Sequence, residues 1–307
     1  MIAIVVEPRI SGRKANRVIA RLGFNRTHRV EARGYSGGIW VLWKEEVVLI
    51  MVITSHDQFI HLRVWIDGNP FWLTAIYGSP NDTLRRALQL NLEVLASLIQ
   101  GPWILTGDFN ALLSATEREG RRKVTSAKLK DFQDCVENNQ LIDLGFAGPV
   151  FTWHRGSLKQ RLDWALCNEF WLEKFEATTV YHLPFLGSDH RPLFICLKAL
   201  RPRFRKESRF HFQTAWMAHE NFPKFVRHSW NANSDWCSSL QGFSQNLQEW
   251  NNSEFGNIFK RKRRLLARIA GIQNYLDKRP SSFLSHLDLE LRSELDSVLA
   301  QEEMFWF

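Results

Sequence analysis

The chain has 307 residues, 45% of them hydrophobic, enough apolar side chain to close one large core with a smaller appendage, so disorder is not the default. Its 40 Lys and Arg against 32 Asp and Glu leave a net charge of +8, which favours a polyanionic partner without choosing among DNA, RNA and an acidic membrane. The four cysteines, Cys135, Cys167, Cys196 and Cys237, are too far apart for a zinc ribbon or a CxxC pair and read as buried thiols in a reducing compartment.

Residues 1–6 are a short apolar run stopped by Glu7 and Pro8, too short for a signal peptide or a membrane span, so a buried strand is expected. Residues 13–22 have helical spacing closed by Gly23. Runs rich in Val, Ile and aromatics follow at 28–33, 38–44, 47–54, 59–66 and 71–77. Gly37-Gly38 and Asp67-Gly68-Asn69-Pro70 punctuate them, and strands this close imply antiparallel hairpins. Asn81 or Asp82 caps a helix to about Ile99, residues 103–106 form a buried strand, and Ser126 opens a helix to about Asn138. Strands at 150–154, 161–166, 178–183 and 193–197 complete the series. The pattern predicts an α/β (α+β) fold, a four-layer αββα sandwich of two mostly antiparallel sheets with helices outside.

After Pro202 the strand signal stops, which divides the chain into residues 1–200 and 201–307. Apolar residues recur at helical spacing, first at Leu265, Ile269, Ile272 and Leu276, then at Leu284, Leu287, Leu291, Leu295 and Val298. A break near Arg279-Pro280-Ser281 makes these two helices, expected as an antiparallel hairpin because each stripe needs an apolar partner. Aromatics at Met304-Phe305-Trp306-Phe307 read as a cut rather than a natural end, and a strand starting at the first residue is similarly unusual.

Three clusters place polar groups at strand ends, where sites are built. Thr106-Gly107-Asp108-Phe109-Asn110 follows an apolar strand, and its glycine permits an exit that turns Asp108 and Asn110 into one pocket. Gly187-Ser188-Asp189-His190 precedes another strand. Arg161-Leu162-Asp163 is the third, with Phe151-Thr152-Trp153 upstream. Singly, each has a plain structural explanation: an Asx turn, a loop, a surface ion pair. Together with Glu7 and Tyr77-Gly78-Ser79-Pro80 at two more strand ends, they are hard to explain as independent turns.

In these residues the chain resembles the endonuclease/exonuclease/phosphatase superfamily, which includes apurinic endonucleases, DNase I-like nucleases and inositol polyphosphate phosphatases. The resemblance covers residues 1 to about 200. The Phe-Thr-Trp153 and Arg-Leu-Asp-Trp164 phrasing, the Gly37-Gly38-Ile39-Trp40 hairpin and the helical tail look like plant LINE-type (non-LTR) retrotransposon polyproteins, in which a reverse transcriptase follows. The resemblance implies a Mg2+-dependent (Mn2+ also serving) phosphodiester hydrolase that nicks DNA, with RNA an alternative substrate. It assigns Glu7, Asp189 and Asp108 to metal, since hard oxygen donors suit Mg2+. Asp108 orients or deprotonates water, Asn110 and Tyr77 hydrogen-bond a phosphate, His190 contacts the scissile phosphate, and Asp163 holds the imidazole. Which group is the general base is left open.

Trp153 and Arg161 are expected at the rim, as a stacking face and a phosphate grip, with a core position the alternative for Trp153. Asn81 is a substrate contact by the same resemblance, although Tyr77-Gly-Ser-Pro-Asn81 is one residue longer than the apurinic endonuclease pattern. Residues 118–123 either track the DNA backbone or form a solvated loop, and residues 260–264 are first a solvated helix face. The family's initial Asn-bearing strand has no counterpart here, so an impaired fragment is expected. Rival functions are an inactive nucleic-acid-binding remnant and a phosphatase or phosphodiesterase of small substrates on the same fold. The expected location is nuclear, or else cytoplasmic, neither secreted nor membrane-spanning.

Overall fold

The computed structural model describes residues 1–32, 37–120, 124–197, 216–217, 221–230, 236–250 and 258–306. They fall into two units, Met1–Leu200 and Arg201–Phe307.

The first unit contains two main sheets. One runs in the order β1-β3-β2, from β1 (Ile2–Val6), β2 (Arg26–Val30) and β3 (Ile39–Trp43). The other has six strands, β4-β5-β6-β7-β12-β9, from β4 (Leu49–His56), β5 (Phe59–Ile66), β6 (Asn69–Tyr77), β7 (Trp103–Asp108), β12 (Asp163–Cys167) and β9 (Ile142–Asp143). Every pairing in it is antiparallel except β6–β7. That exception follows from α2 (Asp82–Leu98), which crosses over between the two strands as a parallel pair requires. Two smaller groups complete the unit: β8 (Arg118–Glu119) with β10 (Trp153–Arg155) and β11 (Leu158–Gln160), and the hairpin of β13 (Thr179–His182) with β14 (Leu193–Cys196).

Alternation along the strands builds the layers. Ile39, Val41 and Trp43 of β3 pack against Ile60, Leu62, Val64, Leu73 and Ala75 of the six-stranded sheet, with Ile2, Ile4 and Val6 beside them, forming the core between sheets. The opposite face of the larger sheet buries Phe59, Ile76, Leu105 and Trp164 under Leu88, Leu92 and Leu95 of α2 and Phe132 and Cys135 of α3 (Ser126–Asn138). Outside the smaller sheet, Ala15 and Ile19 of α1 (Gly12–Arg21) cover Trp40 and Leu42. The order helix, sheet, sheet, helix is the four-layer αββα sandwich expected from the sequence.

Boundaries differ in places. The expected strand at 28–33 is Arg26–Val30, with Arg33 outside the described residues, and residues 121–123 of the basic run also lie outside them. The short strands β8, β9 and β11 and the six-residue α4 (Glu169–Lys174) carry too few residues to show a period. Cys135 and Cys167 are buried free thiols and Cys196 is partly exposed.

The second unit holds α5 (Phe222–Ser229) and α6 (Trp236–Trp250), which bury Phe222, Leu247 and Trp250 together with Trp216. It continues as a hairpin of α7 (Ile258–Lys278) and α8 (Ser282–Trp306). Leu265 and Ile269 meet Leu291, Leu295 and Val298 there. Arg261 reaches Glu294 while Gln273 reaches Asp288, so the helices run antiparallel. No helix among the described residues is long and apolar enough to cross a membrane.

Candidate active site

Three adjacent strands of the larger sheet end in a row of polar groups. Tyr77 closes β6 in parallel register with Asp108 at the end of β7, and Asp163 at the start of β12 stands opposite Asp108. Opposed residues share a face of a sheet, and Tyr77 belongs to the core between the two sheets, so the row opens onto that inter-sheet face. Close approach of β6 and β7 depends on Gly107, whose φ is 137° and where an added Cβ would fall 2.1 Å from the Ile76 carbonyl oxygen.

Asp108 is 2% exposed and is held by the residue two positions on. Asn110, at φ 48°, donates its backbone N–H to Asp108 Oδ1 at 2.8 Å. Its Nδ2 donates to Asp108 Oδ2 at 2.7 Å and to the Gly78 carbonyl at 2.9 Å. The amide expected to meet a phosphate is thus spent on positioning Asp108 and tying β6 to the loop after β7.

His190 completes the row from the loop before β14. Its Nδ1 lies 2.9 Å from Asp163 Oδ2, and its Nε2 lies 4.0 Å from Asp108 Oδ2. Thr152, fully buried, fixes Asp163 from behind: its Oγ1 accepts the N–H of Leu162 at 2.9 Å and of Asp163 at 3.0 Å. Trp153 forms a bridge with His190, and its Nε1 donates to Asp189 Oδ2 at 3.0 Å. Arg191 anchors the segment, donating its backbone N–H to Thr152 O at 2.7 Å and its Nε to Phe151 O at 3.0 Å.

These contacts set the protonation states. Burial, followed by the charge of Asp163, pushes the Asp108 carboxyl well above the usual range, against the pull of His190 and the Asn110 N–H. For His190, burial acts to lower the pKa, but the hydrogen bond to Asp163 and the charges of Asp163, Asp108 and Asp189 outweigh it and raise the imidazole to about 9. An imidazolium donates from both nitrogens, so Nδ1–H serves Asp163 and Nε2–H is directed past hydrogen-bonding range of Asp108.

A cavity of about 280 Å3 opens beside this row, lined by Glu7, Arg9, Asp108, Asp189 and His190 among others. Glu7 reaches it from just beyond β1, in the other sheet, with its N–H on the Gly38 carbonyl at 3.0 Å. Among the described residues, Asp108, Asp163 and His190 form a group whose potential ligand atoms lie within 4.8 Å of one another, but a charged His190 has no lone pair for a metal, which leaves carboxylates as the donors. Three carboxylates on one cavity, Glu7, Asp108 and Asp189, are the hard oxygen donors that Mg2+ or Mn2+ takes, so the residues present fit such an ion.

The structure brings Glu7, Tyr77, Asp108, Asn110, Trp153, Asp163, Asp189 and His190 to one end of the sandwich. Arg161 is not at the rim. It is 5% exposed, its Nη1 and Nη2 meet Asp143 at 2.8 and 2.9 Å, and its guanidinium lies 3.8 Å over the Trp164 ring. A cation inside the fold needs paired carboxylates, and Asp143 and Glu117 supply them. Asn81 is the N-cap of α2, its side-chain oxygen accepting from Thr83 and Leu84 N–H at 2.9 and 3.3 Å, so it serves the helix. Sequence reasoning missed Arg9, Thr152 and Arg191. A basic residue two positions after Glu7, and another directly after His190, were the available signals; Thr152 lies in the Phe-Thr-Trp153 run already singled out, but nothing there marks its hydroxyl as the acceptor behind Asp163.

Residues 7–190 match the endonuclease/exonuclease/phosphatase family. Over 203 residues the chain is 24% identical to the transposon TX1 uncharacterized 149 kDa protein of Xenopus laevis, a match covering 63% of this chain and 15% of that protein. Among solved structures it is similar to the endonuclease domain of TRAS1, a telomere-specific non-LTR retrotransposon, at TM-score 0.48 and 16% identity, covering 65% of this chain and 86% of that one. An AP endonuclease from Archaeoglobus fulgidus is similar at TM-score 0.44 and 16% identity, covering 64% and 88%. The match spans Glu7 through His190, the two residues that bound the site described above, and the chain belongs to the endonuclease/exonuclease/phosphatase family.

Proposed function

We propose that the chain is a divalent-metal-dependent endonuclease that nicks DNA, of retrotransposon origin, with Mg2+ as its metal. The observation that carries this reading is the Asp108–Asp163–His190 arrangement, in which a buried carboxylate of raised pKa faces an imidazolium 4.0 Å away. Asp108, in its ionised form, accepts the proton of the attacking water, its raised pKa favouring the transfer. His190 donates from Nε2 to a phosphate oxygen and offsets the charge that builds there, while Asp163 fixes its ring and keeps it charged. Asn110 holds Asp108 in place, and Tyr77 lies one strand away as a further donor to the phosphate. Glu7 and Asp189, with Asp108, would hold the metal, and Trp153 fixes the Asp189 carboxylate. When bound, Mg2+ supplies Lewis-acid stabilisation of the phosphate and leaving oxygen.

The net charge of +8 suits a nucleic-acid substrate, and the similarity to a transposon protein supports an element-encoded enzyme; action on nuclear DNA beside a reverse transcriptase belongs to the same proposal. The test is incubation of the purified chain with supercoiled plasmid, with and without Mg2+, beside Asp108→Asn and His190→Ala. Metal-dependent nicking lost in both variants supports the proposal. Salt-dependent DNA binding by a folded chain that never nicks favours a binding remnant, and hydrolysis of small phosphodiesters alone favours a small-substrate enzyme.

A further inference from the structure

Glu7 and Arg9 leave β1 through a turn that directs both side chains into the same cavity. Both have left-handed backbone, φ 52° and 56°, and Pro8 lies between them. Non-glycine residues keep that conformation only where their surroundings enforce it. Here Glu7 is pinned by the Gly38 carbonyl, and the Pro8 ring lies so close to Gly38 that a Cβ there would stand 3.1 Å from Pro8 Cγ. The result is an ion pair, Arg9 Nη2 to Glu7 Oε2 at 3.1 Å, with the Arg9 side chain 57% exposed and that of Glu7 26%.

We infer that Arg9 is a resident counter-cation of this site: its guanidinium neutralises Glu7 while no divalent ion is bound, and the ion must displace it. The inference rests on the metal-binding role proposed for Glu7. Two cations held on one carboxylate repel each other, and of the two only the guanidinium is tethered to an exposed arm that can swing into water. The pair is solvent-accessible and therefore weak, so its competition is modest. Arg9 thereby lowers metal affinity by roughly two- to fivefold, with less effect at high salt, where exposed pairs are screened.

The test is Mn2+ binding, read by the loss of the free-ion electron paramagnetic resonance signal, for the full chain and its Arg9→Gln, Arg9→Lys and Glu7→Gln variants, each checked for folding by circular dichroism. The expected result is tighter Mn2+ binding in Arg9→Gln by about two- to fivefold, a gap that narrows at 1 M salt, with Arg9→Lys close to the parent. Glu7→Gln binds more weakly. If Glu7→Gln weakens binding while Arg9→Gln leaves it unchanged or weaker, the Arg9 inference is overturned and the metal role of Glu7 stands. If Arg9→Lys and Arg9→Gln change binding alike, the charge is not the cause and the inference also fails. If Glu7→Gln binds Mn2+ as the parent does, the metal reading of Glu7 falls, and the inference with it.

Discussion

Asp108 and Asp163 are directly opposed residues of the β7–β12 ladder, two carboxylates facing each other across neighbouring strands. Like charges opposed in a sheet are destabilising unless something separates their protonation states. His190 does so, hydrogen-bonded to Asp163 and 4.0 Å from Asp108. One proton relationship among three groups therefore underlies both the local stability and the chemistry.

The imidazole of His190 in the metal-free chain should titrate with a midpoint at about 9, and Asp163→Asn should bring it down toward the ordinary 6.5. Histidine Cε1 proton shifts followed by NMR from pH 5 to 10 measure this. Because the folded pKa lies above the unfolded one, the charged ring stabilises the fold fully below about 6.5 and loses that contribution as pH rises through 9. Denaturant midpoints should fall over that window in the parent and flatten in His190→Gln.

Gly107→Ala should destabilise the first unit by more than about 3 kcal/mol, since φ 137° and a carbonyl oxygen 2.1 Å from the new Cβ both oppose it. Gly156→Ala is the control, with φ 61° and nothing within 4 Å, and should cost about 1 kcal/mol. Urea unfolding of the two variants separates strain from collision; equal losses would rule out the close approach of β6 and β7 as the reason for Gly107.

Trp153→Phe keeps a ring beside His190 but removes the donor to Asp189 Oδ2. A tenfold or larger fall in Mn2+ affinity is expected, with stability changed by less than about 1 kcal/mol. Calorimetric titration checks it, and an unchanged affinity would detach Asp189 from the metal.

Arg161→Met leaves Asp143 and Glu117 without their shared cation and should cost about 3 kcal/mol of stability. Since Arg161 is buried, the salt dependence of DNA binding should keep its slope. A slope reduced by about 0.9 would instead mark it as a phosphate contact.

Much of this molecule was legible because its strands carry their own signals. The runs at 59–66 and 71–77 alternate between two buried faces, and Gly-Asp-Phe-Asn110 and Ser-Asp-His190 stand where such runs stop. Arg161 misled because a lone cation in sequence shows neither the Asp143 that pairs with it nor the Trp164 ring beneath it. Asn81 was legible as the cap of α2, whose first N–H groups its side-chain oxygen accepts. Thr152 and Arg191 act through backbone groups distant in sequence, which no local pattern encodes.

The row of Tyr77, Asp108 and Asp163, completed by Glu7 and His190, draws each group from a different stretch of chain. The row is assembled only when β12 pairs with β7 and the His190 loop closes on both. During synthesis the row is therefore incomplete until His190 has emerged and the long-range pairings have formed, the slow and entropically costly steps of such a topology. A nuclease activity of the kind proposed would then be absent from any copy in which these pairings had not formed.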